Sequence, residues 1–325
     1  MTDEIKVFQD KLTERLLELD LEKEPKELYQ PIHYTLSLGG KRMRPILAIM
    51  AYQCCAKDWE KIIEPALAIE LFHNFTLIHD DIMDEAPLRR GQPTVYKKWN
   101  KDIAILSGDV LMVMAYDLLM KAEYDDFKYL LRLFNRCAIE VCEGQQLDMN
   151  FEEKYSVSEG DYLEMIRLKT AVLLGFSLEL GGLLGGMSKE EAAHVRDFGV
   201  NIGIGFQLKD DLLDVYGDAQ KFGKQVGGDI IANKKTLLLI KAIELAEGKQ
   251  KLDLHNLMAD KAIDPDVKVR KMKEIYKDLN IETIAEKAMN DHFEKGFEQL
   301  KALEEGSYNL KPLKQFTEAL IARDH

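Results

Sequence analysis

Cysteine and proline are both scarce in this chain of 325 residues, at four and eight respectively. Cys54, Cys55, Cys137 and Cys142 form no C-x-x-C pair, so they read as reduced thiols packed in helices rather than as a disulfide framework. A cytoplasmic setting is the expectation that follows. Positive charge is also in deficit. The formal net charge is -13, which argues against nucleic acid and anionic membranes as partners. Any anionic substrate must then be held by local cations or by metal. The start, MTDEIKVFQDKL, lacks a basic region followed by an apolar run, so no signal peptide is expected. No unbroken apolar stretch reaches the roughly 18 residues that suggest a transmembrane segment. Alternating strand patterns, Ser/Gly-rich linkers and a nucleophile-base triad are missing as well.

What is present is apolar spacing of three and four residues. It recurs at Leu16, Leu17, Leu19 and Leu21, through residues 66–82, and through 110–119. With 46% hydrophobic residues the chain can bury a large core. Ten or more helices are expected, with little or no sheet. Ser158 followed by Asp161 resembles a capping box opening a helix over 162–184, which Gly185 and Gly186 would stop. Residues 248–265 are the most polar and loop-like stretch. The reading is all-α: residues 1–325 as one domain, a single large helix bundle.

Two aspartate clusters dominate the chemistry. Asp80-Asp81-Ile82-Met83-Asp84 and Asp210-Asp211-Leu212-Leu213-Asp214 each follow apolar helical sequence. Residues four apart share a helix face, about 6 Å apart along the axis, so Asp80 pairs with Asp84 and Asp210 with Asp214. Like charges at that spacing destabilise a helix unless a cation neutralises them. Mg²⁺, a hard ion that commonly bridges carboxylates to phosphates, is the natural one. One such motif could be a solvated acidic face. Two, facing each other, could clamp a diphosphate.

Cations match them. Lys41, Arg42 and Arg44 follow the pair Gly39-Gly40, and Arg89-Arg90-Gly91 lies just beyond the first cluster. Arg presents a planar fork to phosphate oxygens, Lys a point charge. Lys224 and Lys234 follow the second cluster. Lys169, beside Thr170, sits in an apolar helix and needs a partner or ligand. Each has a plainer alternative: surface charge for Lys41 and Arg42, a stem reaching out of the core for Lys169, a satisfied core histidine for His73.

In this order the motifs resemble those of the trans-isoprenyl diphosphate synthase (polyprenyl synthetase) family. They are Gly39-Gly40-Lys41-Arg42-Met43-Arg44-Pro45, His73, the first aspartate cluster with Arg89-Arg90-Gly91, and Gly144-Gln145-Gln146-Leu147-Asp148. Lys169-Thr170, Phe206-Gln207, the second cluster, Gly223-Lys224, Gly228-Asp229-Ile230 and Lys234-Lys235-Thr236 follow. The closing Ala322-Arg323-Asp324-His325 is similar too, more weakly. The resemblance implies an orthogonal helix bundle with a deep central cavity, and a homodimer. It implies three Mg²⁺ per active site, held by Asp80, Asp84, Asp210 and Asp214. It implies isopentenyl diphosphate on Gly40, Lys41, Arg44, His73 and Arg90. An allylic diphosphate (dimethylallyl, geranyl or farnesyl) would meet Arg89, Lys169, Thr170, Gln207, Lys224 and Lys234. Asp81 and Asp211 join the catalytic set. One departure is Asn233, where the family commonly has Gly; Asn tolerates unusual backbone angles.

The same resemblance suggests a product gauge. Phe75 and Thr76 precede Asp80 by five and four residues, about 7.5 Å of helix for the former. An aromatic there goes with short products, C15 to C20, geranylgeranyl or farnesyl diphosphate. Met112, Met114 and Tyr116 could supply a different floor. The rivals are a class I terpene cyclase and a non-catalytic subunit of a heteromeric synthase. The second DDxxD and the retention of all six aspartates speak against them.

Overall fold

A computed structural model describes residues 3–154, 156–217 and 227–322. Helices make up nearly all of the regular structure among these residues, as an all-α reading requires. The chain divides into two compact units. The first comprises Met1–Phe134, Phe176–Arg196 and Gly306–Leu313; the second comprises Asn135–Gly175, Asp197–Glu305 and Lys314–His325.

The first unit holds α1 (Asp3–Leu17), α2 (Lys26–Ser37), α3 (Met43–Gln53), α4 (Ile63–Met83), the single turn α5 (Val95–Lys98) and α6 (Lys101–Leu119), with α2 packed against α6, and α1, α3, α5 and α6 against α4. That helix is apolar around most of its circumference. Ile69, Leu71 and Phe72 are fully enclosed although they point in different directions. Each such side chain contributes about 1.5–3 kcal/mol by leaving water. Helix α6 runs along α4 and starts where Asn100 Oδ1 accepts from Ile103 N at 2.9 Å. Between α4 and α5, Leu88–Arg89 pairs antiparallel with Gln92–Pro93. Arg90 and Gly91, at φ 54° and 73°, make the two-residue turn, as a hairpin of this kind requires.

The second unit is built on α7 (Phe127–Glu153), α8 (Glu159–Ile166), α9 (Val172–Gly185) and α10 (Lys189–Tyr216), each at least in part. The turn α11 (Gly228–Ile231) and helices α12 (Leu237–Leu245), α13 (Gly248–Ala259), α14 (Pro265–Asp278) and α15 (Ile281–Lys301) complete it, with most of α16 (Lys311–Ile321). Its core gathers Tyr162, Leu208, Leu212, Val215, Leu239 and Tyr276.

Ser158 caps α8 as expected, accepting from Asp161 N at 3.1 Å. The helix does not run on uniformly: a π-helical turn, Arg167–Ala171, joins α8 to α9. Glu159–Gly185 is therefore one continuous helix, long and apolar enough by length and composition to cross a membrane. Some 78% of its apolar window is buried inside the protein. Lys169 and Glu179 interrupt its apolar run, so no unbroken stretch of that length stands in the sequence. Two expectations are corrected. Residues 248–259 form α13 rather than a loop, because Leu254 and Leu257 share a buried face. Helix α1 stops at Leu17, so Leu19 and Leu21 lie beyond it, with Leu21 still buried.

Candidate active site

The first aspartate cluster closes α4. Asp84 is the C-cap, its N–H donating to Asp80 O at 2.9 Å, so the two stand one turn apart. Asp84 is exposed, whereas Asp80 is half-buried. Asp81 is only 4% exposed. Both its oxygens accept from Arg89 Nε at 2.9 Å, and Arg89 Nη2 lies 2.8 Å from one of them and 3.5 Å from Asp80. Burial pushes the Asp81 carboxyl above its ordinary value, and Arg89 opposes the shift.

The loop carrying Gly39 to Arg42 brings further cations close. An added Cβ on Gly40 would meet Arg90 Nη2 at 2.8 Å, so the guanidinium lies directly on the glycine. Arg44 Nη1 donates to His73 Nε2 at 3.1 Å. Burial, with the charges of Arg44, Arg90, Arg89 and Arg42, holds the His73 imidazole well below its ordinary value, hence neutral and able to accept. Gly40, Arg44, His73 and Arg90 thus form one neighbourhood, with Lys41 exposed nearby in sequence. Arg42 is different. It sits at φ 49° and is buried, donating to Glu70 Oε1 at 2.5 Å and Leu36 O at 2.7 Å. It anchors the loop; it is not surface charge.

Phe75 is half-buried, its ring 4.7 Å from His79 and 5.7 Å from Phe72. Phe72 meets Phe134 at 5.4 Å, and Phe134 meets Tyr116 at 5.0 Å. The two floors foreseen separately, Phe75 and Tyr116, therefore belong to one aromatic cluster. Thr76 donates its hydroxyl to His73 O at 2.8 Å.

In the second unit, Asp210, Asp211 and Asp214 lie in the last turns of α10. Asp210 is exposed. Asp214 is half-buried and accepts from Asp229 N at 2.9 Å, which docks the start of α11. Asp211 is buried. Tyr162 donates its hydroxyl to it, and Gln207 Nε2 donates at 3.1 Å. Burial drives its carboxyl up to about 7, against the pull of Lys234. Thr170 donates to Gln207 Oε1 at 3.2 Å, so a chain runs from Thr170 through Gln207 to Asp211. Lys169 Nζ donates to Asp148 at 2.6 Å. The backbone N–H of Lys234 donates to Asp229 O at 2.9 Å. Asn233 has φ 53°, the left-handed value at which Asn is tolerated and Gly favoured. Lys224 lies outside the described residues, as does the stretch 323–325.

Sequence reasoning missed Tyr162 and Glu70. A Tyr forty-nine residues from its partner and a Glu inside an apolar helix carry no local signal beyond the cost of burying them unpaired.

Among the described residues no group of three or more His, Cys, Asp or Glu is poised to hold a metal by itself. That donor set still fits Mg²⁺, which keeps several waters and binds through one or two carboxylates together with substrate phosphates. Asp80 with Asp84, and Asp210 with Asp214, each supply hard oxygen donors of that number.

A sequence profile of the family described as Polyprenyl synthetase matches residues 25–279, spanning both aspartate clusters. The geranylgeranyl pyrophosphate synthase of Geoglobus acetivorans is 38% identical over 316 residues, 97% of this chain and 96% of that protein. The geranylgeranyl diphosphate synthase of Methanosarcina mazei is 42% identical over 246 residues, 75% and 76% of the two chains. A crystal structure of a geranylgeranyl pyrophosphate synthase superposes with a TM-score of 0.90 at 39% identity, covering 98% of this chain and 97% of that one. The chain belongs to the polyprenyl synthetase family and is a prenyltransferase of that all-α fold.

Proposed function

We propose that the chain condenses isopentenyl diphosphate with an allylic diphosphate, giving an all-trans prenyl diphosphate of 15 to 20 carbons, geranylgeranyl diphosphate foremost. The observation that carries this reading is the placement of Gly40, Arg44, His73 and Arg90 in one neighbourhood beside a carboxylate-ended helix. A terpene cyclase has no use for that second anion site. A silent subunit would have no use for six retained aspartates.

Arg89 is assigned to the allylic diphosphate together with Lys169, Lys224 and Lys234. The isopentenyl diphosphate falls to Gly40, Lys41, Arg44, His73 and Arg90. His73 is suited to that task because, neutral, it aims the Arg44 guanidinium instead of repelling it. Asp80, Asp84, Asp210 and Asp214 would hold Mg²⁺. The ion, when bound, neutralises charge growing on the departing diphosphate. Thr170, Gln207 and the Lys169 carbonyl offer oxygen dipoles to the allylic cation, which must be kept from water. The isopentenyl double bond attacks that cation. The proton then lost from the adduct goes to the released diphosphate, so no protein base is needed. Phe75, backed by Phe72, Phe134 and Tyr116, would stop the growing tail. Three Mg²⁺ per site and a cytoplasmic setting are part of this reading, as is operation of residues 1–325 as one catalytic domain. So is a homodimer, for which the exposed apolar line Leu106 and Val113 on α6 with Met120 at its C-cap is the support.

The test is mass analysis of products made by the purified chain with Mg²⁺, isopentenyl diphosphate and each allylic primer in turn. Elongation to C20 is expected. Cyclic hydrocarbons formed without isopentenyl diphosphate, or no product at all, would overturn it.

A further inference from the structure

The π-helical turn Arg167–Ala171 gives Lys169 and Thr170 an orientation that a regular helix would not. Such turns insert a residue into the i,i+4 ladder and recur at functional sites. They need support from outside the helix, and here two neighbouring helices supply it. On α7, a Cβ added to Gly144 would lie 2.2 Å from Lys169 N and 2.7 Å from Leu168 C, so the two backbones are in direct contact. One turn further along the same face of α7, Asp148 receives Lys169 Nζ at 2.6 Å. On α10, a Cβ at Gly203 would stand 2.7 Å from Ala171 Cα. One turn beyond it, Gln207 accepts from Thr170. Each flanking helix thus offers a glycine to the backbone of the turn and, four residues later, a polar group to its side chain.

We propose that Gly144 with Asp148, and Gly203 with Gln207, form a two-sided clamp that sets the π turn and aims Lys169 and Thr170. Asp148 is a positioning residue acting through Lys169, and Gly144 and Gly203 are positioning residues acting through the turn's backbone. This rests on the synthase reading for its effect on rate, but the clamp itself can be measured without turnover. It also explains the spacing of Gly144 and Asp148, a helical repeat of four with a bare first position. The amide of Gln146, between them, points away and accompanies Asn150 at 2.9 Å on the exposed side.

The experiment is a double-mutant cycle on the full chain with Mg²⁺, isopentenyl diphosphate and farnesyl diphosphate. Asp148→Asn should lower kcat/KM for the allylic substrate about tenfold, yet cost less than about twofold in a Lys169→Ala background, because the interaction it serves is already gone. KM for isopentenyl diphosphate should stay unchanged. Asp148→Glu should recover part of the loss, and Gln146→Ala should match the parent. Gly144→Ala and Gly203→Ala should each lower kcat. Thermal unfolding of the same Asp148 and Lys169 variants should be non-additive, and this arm holds even if the parent makes no prenyl product. Equal losses in both backgrounds, or additive unfolding shifts, would overturn the clamp. An inactive parent with non-additive unfolding would instead overturn only the synthase reading.

Discussion

Asp81 and Arg89 are joined at both carboxylate oxygens, with the Arg89 Nε 2.9 Å from each and Nη2 2.8 Å from one. The central aspartate of the first cluster therefore faces a cation of its own chain, which also reaches Asp80 at 3.5 Å, while Asp84 is exposed at the end of α4. On the proposed function the part of Asp81 would be to hold Arg89 toward the allylic diphosphate. Asp81→Asn keeps one acceptor and removes the charge, so KM for the allylic substrate should rise about three- to tenfold with a stability loss of about 1–3 kcal/mol. Steady-state kinetics and denaturant unfolding of the same variant check both halves; an unchanged KM would remove Arg89 from the allylic set.

Asp80→Ala and Asp210→Ala take away oxygen donors without opening a core cavity, since Asp210 is exposed and Asp80 half-buried. Turnover should vanish in both while circular dichroism and melting temperature stay near the parent values. Near-normal rates at saturating Mg²⁺ would dismiss the metal assignment.

Phe75→Ala should lengthen the product by one or more five-carbon units. The space it vacates is bordered by aromatic rings, so Tyr116→Ala should act in the same direction when added to it. Mass spectra of the products decide, and unchanged lengths would leave Phe75 a core residue only.

The Asp211 carboxyl sits at about 7 in the folded chain and near 3.8 when unfolded. Between those values folding takes up a proton, so this group makes the protein less stable as pH rises from about 4 to 7, by up to about 1.4 kcal/mol per pH unit. With metal chelated, the parent should gain stability relative to Asp211→Asn as pH falls from 7 to 5. A difference that stays flat across that window would show that Asp211 remains ionised.

The chemistry of the site was more legible in the sequence than its supports. Aspartates four apart on apolar helices, arginines beside glycines, and Asn233 at a position suited to positive φ are local patterns, and local patterns survive in one dimension. Partnerships do not. Asp81 with Arg89 is eight residues apart and could have been suspected from charge; Tyr162 with Asp211 and Arg42 with Glu70 could not. Residues 248–259 read as a loop because their polarity outweighs the single buried pair Leu254 and Leu257, which is enough for a helix on the margin of a core. The π turn was invisible because its cause lies on α7 and α10 rather than in the segment itself.

The enclosed pairing of Arg42 with Glu70 has an outcome for anyone surveying basic residues by substitution. Lys41, Arg42 and Arg44 look interchangeable in a charge tally, yet the middle one is spent indoors on Glu70 and the Leu36 carbonyl. Arg42→Ala strands a buried carboxylate and should cost about 3–5 kcal/mol, showing up as poor yield of soluble protein. Arg42→Lys keeps the sign but cannot span both acceptors in one plane, so it too should melt early. Scored by cell-based activity alone, both would pass for binding defects; yield and melting temperature separate a missing anchor from a missing ligand.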